Sequence, residues 1–129
     1  MNWVDEFIAI GDIIDSNRVD LLRSENVDLI IDVRTAFKFR VSILNDPEFI
    51  FEQWPEKGRL ERIVDLLVEL SNLKARVLIH CVEGVDRTPF VAMLYLAKKR
   101  GIEYKEAYDI VKLIRPQTVQ HWEWLKDMK

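Results

Sequence analysis

Two rhythms of apolar residues run through this chain: short continuous runs, and longer stretches in which apolar positions return every three or four residues. Phe7-Ile-Ala-Ile10, closed by Gly11, is of the first kind and predicts a short strand. Leu29-Ile-Ile-Asp-Val33 and Arg76-Val-Leu-Ile-His80 are rich in aliphatic and β-branched residues with polar residues on either side, and predict two more. Phe49-Ile-Phe51 predicts a fourth. Leu60, Ile63, Val64, Leu67 and Leu70 keep helical spacing after a loop marked by Pro55 and Gly58. Pro89 to Arg100 is apolar on nearly every face until Lys98, and Gly101 stands where a helix-terminating glycine belongs, so this stretch predicts a buried helix. Tyr104, Ala107, Tyr108, Val111 and Ile114 predict another, stopped by Pro116. Shorter helices are expected from Asn17, as a cap, to about Ser24, and from about Val119 to Met128. Strands alternating with helices predict an α/β fold with a mostly parallel sheet. In such sheets ligands bind beyond the carboxyl ends of the strands.

Composition narrows the class. A chain of 129 residues with 49% hydrophobic and 32% charged content is expected to be one globular domain over residues 1–129. Nineteen Lys and Arg against 22 Asp and Glu leave a net charge of −3, which argues against a nucleic-acid or membrane-surface partner. The longest apolar run, Phe90 to Ala97, is far too short to span a bilayer. One cysteine excludes an internal disulfide framework and a thiolate-clustered zinc site. With an acidic start and no signal-like apolar stretch, the expectation is a cytoplasmic monomer without metal or cofactor.

The chemistry gathers in the loop between the 76–80 strand and the buried helix: His80-Cys81-Val82-Glu83-Gly84-Val85-Asp86-Arg87-Thr88. Backbone N–H groups at a helix start lack partners and, with the helix dipole, attract anions. Gly84 lets the chain curl so that successive amides point inward as a nest. Arg87 adds a planar, permanently charged fork suited to two phosphate oxygens. A cysteine set against this positive potential is expected to be a thiolate nucleophile. A lone cysteine is more often an inert buried hydrophobe, but His, Cys, Gly, Arg and Thr at these offsets in a strand–loop–helix make that reading the weaker one.

This segment resembles the HCxxGxxR[ST] signature of cysteine-dependent protein tyrosine and dual-specificity phosphatases. Ile8-Ala-Ile-Gly11 with Leu29–Val33 is similar to the opening of small members, and Leu113-Ile-Arg-Pro-Gln-Thr-Val-Gln120 to the RPxxVQ segment of compact archaeal-type ones. The resemblance implies a protein tyrosine phosphatase-like fold, with four to five strands flanked by helices, and hydrolysis through a phosphocysteine without metal. It implies that Cys81 is the nucleophile and that Arg87 holds the phosphoryl oxygens. The amides of Val82, Glu83, Gly84, Val85, Asp86 and Arg87 would cradle them. Thr88 would hydrogen-bond the Cys81 sulfur, His80 would orient the loop, and Gln120 would position the hydrolytic water.

The leaving group also needs a proton, usually from a positioned carboxylic acid. The family's acid loop falls near Gln53, where the sequence offers Glu52, Glu56 after Trp54-Pro55, and Asp46 further upstream. Asp86 is another candidate, because Gly84-Val-Asp-Arg-Thr88 resembles the GxDRT ending of myotubularin-type lipid phosphatases and of a group of bacterial phosphatases, in which that Asp is assigned the acid role. Asp86 ranks first, Glu52 second and Glu56 third. Trp54 reads first as a core anchor and second as the aromatic beside a phosphotyrosine ring. The expected substrate is a phosphorylated protein, on phosphotyrosine and also on phosphoserine and phosphothreonine. The alternatives are a phosphoinositide or RNA 5′-triphosphate phosphatase, both disfavoured by the net charge, a non-catalytic phosphate-binding module, and a rhodanese-type sulfur transferase.

Overall fold

The structure, a computed structural model, describes residues 1–33, 40–43, 46–52, 59–81, 84–123 and 125, with the backbone alone for 40–43, 46–52, 59 and 60. Six strands form one sheet: β1 (Asn2–Trp3), β2 (Ile8–Gly11), β3 (Leu29–Asp32), β4 (Arg40–Ile43), β5 (Asp46–Glu52) and β6 (Val77–His80). Their spatial order is β1-β2-β6-β3-β4-β5. The central strands β2, β6 and β3 are parallel, and β1, β4 and β5 add to the two edges antiparallel. The division follows from the connections. Parallel neighbours need a long crossover, which the helices supply, whereas short turns can only return the chain antiparallel. The expected α/β sheet is therefore present, and its edge strands bring the count to six rather than four or five.

The helices are α1 (Ile13–Ser16), α2 (Val19–Ser24), α3 (Arg59–Asn72), α4 (Arg87–Arg100) and α5 (Tyr104–Ile114). Strands β2 and β6 are buried on both faces, as a sheet covered by helices on both sides requires. Ile8, Ile10, Ile31, Val77 and Ile79 belong to the main core with Ile63, Val64 and Leu67 of α3 and the apolar length of α4. The alternate positions Ala9 and Leu78 join Leu22 and Val27 in a smaller core on the other face. Helix α4 is buried from Thr88 to Ala97 and ends at Gly101, whose φ of 64° is the left-handed turn expected of a terminating glycine.

Two expectations change. The residue preceding α2 as its cap is Arg18 rather than Asn17, because α1 takes up the residues before it behind a reciprocal Asp12–Asp15 capping box. Beyond Val119, the described residues show a 3₁₀ turn at Trp122, Glu123 and Leu125 in place of an α-helix. Among the described residues, no helix is long and apolar enough to cross a membrane.

Candidate active site

The register of the parallel strands sets Gly11, His80 and Asp32 side by side at the carboxyl ends of β2, β6 and β3. Cys81 is the first residue beyond that line and is buried, at 3% exposure. The Gly84 N–H donates to its sulfur at 3.2 Å, so the turn closes directly over the thiol. Gly84 has φ 71°, in the left-handed region that glycine enters without steric cost. A Cβ there would stand 2.4 Å from the Gly11 carbonyl oxygen and 2.7 Å from Arg115 Nη2, so the position has no room for a side chain either. The His80 ring is buried, with Nδ1 3.3 Å from the Cys81 carbonyl oxygen.

Three consecutive loop residues are held from the end of α5 and the segment after it. Arg115 Nε donates to the Gly84 carbonyl at 2.7 Å, the Val119 N–H donates to the Val85 carbonyl at 2.7 Å, and His121 Nε2 lies 2.8 Å from Asp86 Oδ1. Arg115 is itself 4% exposed, and its Nη1 donates to Asn2 Oδ1 at 2.7 Å, tying the loop to β1 as well. Lys112 Nζ donates to the Pro116 and Thr118 carbonyls and fixes the turn from which Val119 and His121 reach the loop.

Asp86 stands at the N-cap of α4, yet its side chain makes no capping hydrogen bond. An aspartate there ordinarily accepts from the amides of the first turn; here it is engaged by His121, which leaves those amides for another acceptor. Arg87 is the exposed first residue of α4. Thr88 is fully buried, and its Oγ1 has no hydrogen-bond partner among the described residues, so the expected bond to the Cys81 sulfur is not formed here. Gln120 is exposed and lines a shallow hollow with Pro89, Phe90, Tyr108 and Trp122.

The structure thus brings Cys81, Gly84, Val85, Asp86, Arg87 and Thr88 together at one turn, with Gln120 in the segment braced against it. Val82, Glu83, Gln53, Trp54 and Glu56 lie outside the described residues; Asp46 and Glu52 are the first and last residues of β5. The sequence reading gave no role to Arg115 or His121. Arg115 sits within the Arg-Pro segment that carried part of the resemblance, so a signal for it was present. For His121 there was none.

Residues 15–129 match the family model described as dual specificity phosphatase, catalytic domain, and the chain belongs to that family. It is 26% identical over 121 residues to protein-tyrosine-phosphatase IBR5 of Arabidopsis thaliana, covering 88% of this chain and 43% of that protein. It is 26% identical over 115 residues to dual specificity protein phosphatase 6 of Homo sapiens, covering 83% and 30%. The chain thus spans less than half the length of these curated relatives. Among solved structures, human DUSP28 superposes with a TM-score of 0.78 at 17% identity over 99% of this chain and 92% of that one. Tk-PTP in the active form gives 0.70 at 19% identity over 98% and 92%.

Proposed function

We propose that this chain is a metal-independent protein phosphatase acting on phosphotyrosine, and also on phosphoserine and phosphothreonine, through a phosphocysteine. One observation carries the reading: Cys81 leaves the central strand beneath a glycine turn whose amide faces its sulfur, and that turn runs directly into α4 and Arg87. In the first step the Cys81 sulfur attacks phosphorus as the bond to the leaving oxygen breaks and Asp86 supplies the proton. Arg87 and the amides of residues 82 to 87 hold the three phosphoryl oxygens as charge shifts onto them. In the second step a water held by Gln120 gives a proton back to Asp86 as its oxygen bonds to phosphorus and the sulfur leaves as thiolate. The Thr88 hydroxyl, with no partner among the described residues, is available to donate to that departing thiolate.

The test is hydrolysis of a phosphotyrosine peptide in the presence of a chelator. Cys81→Ser is expected to show no turnover above background, and Arg87→Lys to lose roughly 10²–10³ in kcat, because a point charge cannot replace the planar fork. Full activity in Cys81→Ser would remove the covalent mechanism.

A further inference from the structure

Among the described residues at the loop, His121 takes no part in these two steps. His121 is held by carboxylates at both ring nitrogens: Nε2 lies 2.8 Å from Asp86 Oδ1, and Nδ1 lies 3.0 Å from Glu123 Oε1. An imidazole engaged on both sides has one orientation, and here it turns Nε2 toward the loop. Tyr108 of α5 lines the same hollow, and the residues that α4 contributes, Pro89, Phe90 and Met93, carry no charge. Tyr108 packs against Trp122 with ring centroids 5.3 Å apart, which braces the segment next to the histidine. Burial pulls the imidazole down, but the hydrogen bonds with Glu123 and Asp86 and the charges of both outweigh it, and His121 is held above the ordinary histidine value. Asp86, free of the capping duty its position offers, has this ring as its partner.

We propose that His121 is the positioning residue of the proton-transfer step, its imidazolium fixing the loop carboxyl group of Asp86 while Glu123 fixes the ring. This rests on the phosphatase reading and extends it. The imidazolium donates from Nε2 to Oδ1 and leaves Oδ2 for the leaving group. As the sulfur–phosphorus bond forms and the phosphorus–oxygen bond breaks, the leaving oxygen takes the proton from Oδ2. The carboxylate that results keeps its hydrogen bond from Nε2, and the imidazolium balances its charge. In the second step Oδ2 takes one proton from the attacking water, the oxygen–phosphorus bond forms, and the sulfur leaves as thiolate. One proton is given and one recovered.

The experiment compares wild type with His121→Gln on two esters, phenyl phosphate, whose leaving oxygen needs a proton, and 4-nitrophenyl phosphate, which needs it less. His121→Gln is expected to lose about tenfold or more on phenyl phosphate and clearly less on the nitrophenyl ester. The wild-type advantage is expected below the imidazole titration and to shrink as pH rises through it, since only the imidazolium donates from Nε2 with a charge. Proton NMR reads the pair without turnover: of the chain's two histidines, the resonance missing from His121→Gln is His121, and in Asp86→Asn it is expected to titrate at lower pH than in wild type. Equal losses on both esters at every pH would make the role merely structural and overturn the proposal. So would an unchanged His121 titration in Asp86→Asn, a result that does not depend on whether the glutamine variant folds. Wild type that hydrolyses neither ester would overturn the phosphatase reading and this role with it, a failure told apart from the others by the absence of any turnover to compare.

Discussion

Gly84 serves two geometric demands at once. Its φ of 71° brings its own amide over the Cys81 sulfur, and its missing side chain lets the turn sit on the end of β2 and against Arg115. Gly84→Ala should therefore do more than strain one residue. The left-handed backbone costs an alanine about 1–2 kcal/mol, and the methyl group must also push the turn off the Gly11 carbonyl, which moves the amide that faces the sulfur. Urea unfolding is expected to show a loss on the order of 2 kcal/mol, with turnover falling far more than the small change in folded population would give. Full kcat in a destabilised variant would show that the turn relaxes without moving that amide. At this scale the sequence was most informative about the candidate loop itself, because Cys81, Gly84, Asp86, Arg87 and Thr88 are close along the chain and their spacing carries their meaning. Arg115 and His121 act only by meeting residues 31 and 35 positions away; the Arg-Pro segment marks the first without saying what it meets, and nothing local marks the second.

Among the elements, α1 shows how little regular structure a capping box can sustain. Asp12 accepts from the Asp15 amide at 2.8 Å, and the Asp12 amide donates back to Asp15 Oδ2 at 3.1 Å. Burial pushes the Asp15 carboxyl up, but the Asp12 amide, the Met1 ammonium 3.1 Å away and the Arg115 charge more than offset it and leave it below the ordinary value. A carboxyl lowered in the folded state adds stability above its unfolded value of 3.8, and that contribution is lost as pH falls through the folded value. Asp15→Asn should therefore be less stable than wild type at pH 6, with the gap in urea midpoints closing toward pH 2. A gap that persists in acid would assign the effect to shape rather than charge. The same element marks a limit of pattern reading. Helices α3, α4 and α5 have enough turns to display a period, and β2, β3 and β6 are unbroken apolar runs up to their last residues, Gly11, Asp32 and His80. A single turn such as α1, the two-residue β1, and β4, where Arg40 and Ser42 break any apolar run, take their conformation from what they pair with.

Across the whole molecule, the buried helix also reaches the turn between β1 and β2. Tyr95 is fully buried in α4, and its hydroxyl donates to Asp5 Oδ2 at 2.6 Å, while Asp5 Oδ1 accepts from the Phe7 and Ile8 amides at 2.8 Å each. Burial, and then the Asp5 carboxylate, push the phenol well above its ordinary value. Tyr95→Phe is expected to cost about 1–2 kcal/mol in urea unfolding, since one carboxylate oxygen loses its phenol donor; no measurable loss would mean that water takes the phenol's place. The braces on the Cys81 turn have a consequence for how the molecule comes into being. Cys81 and Arg87 are made well before Arg115, Val119 and His121, which hold residues 84, 85 and 86 in place. During synthesis the turn around Cys81 therefore emerges before the residues that shape it, so a growing chain carries that turn unbraced until residues 115 to 121 have emerged and docked.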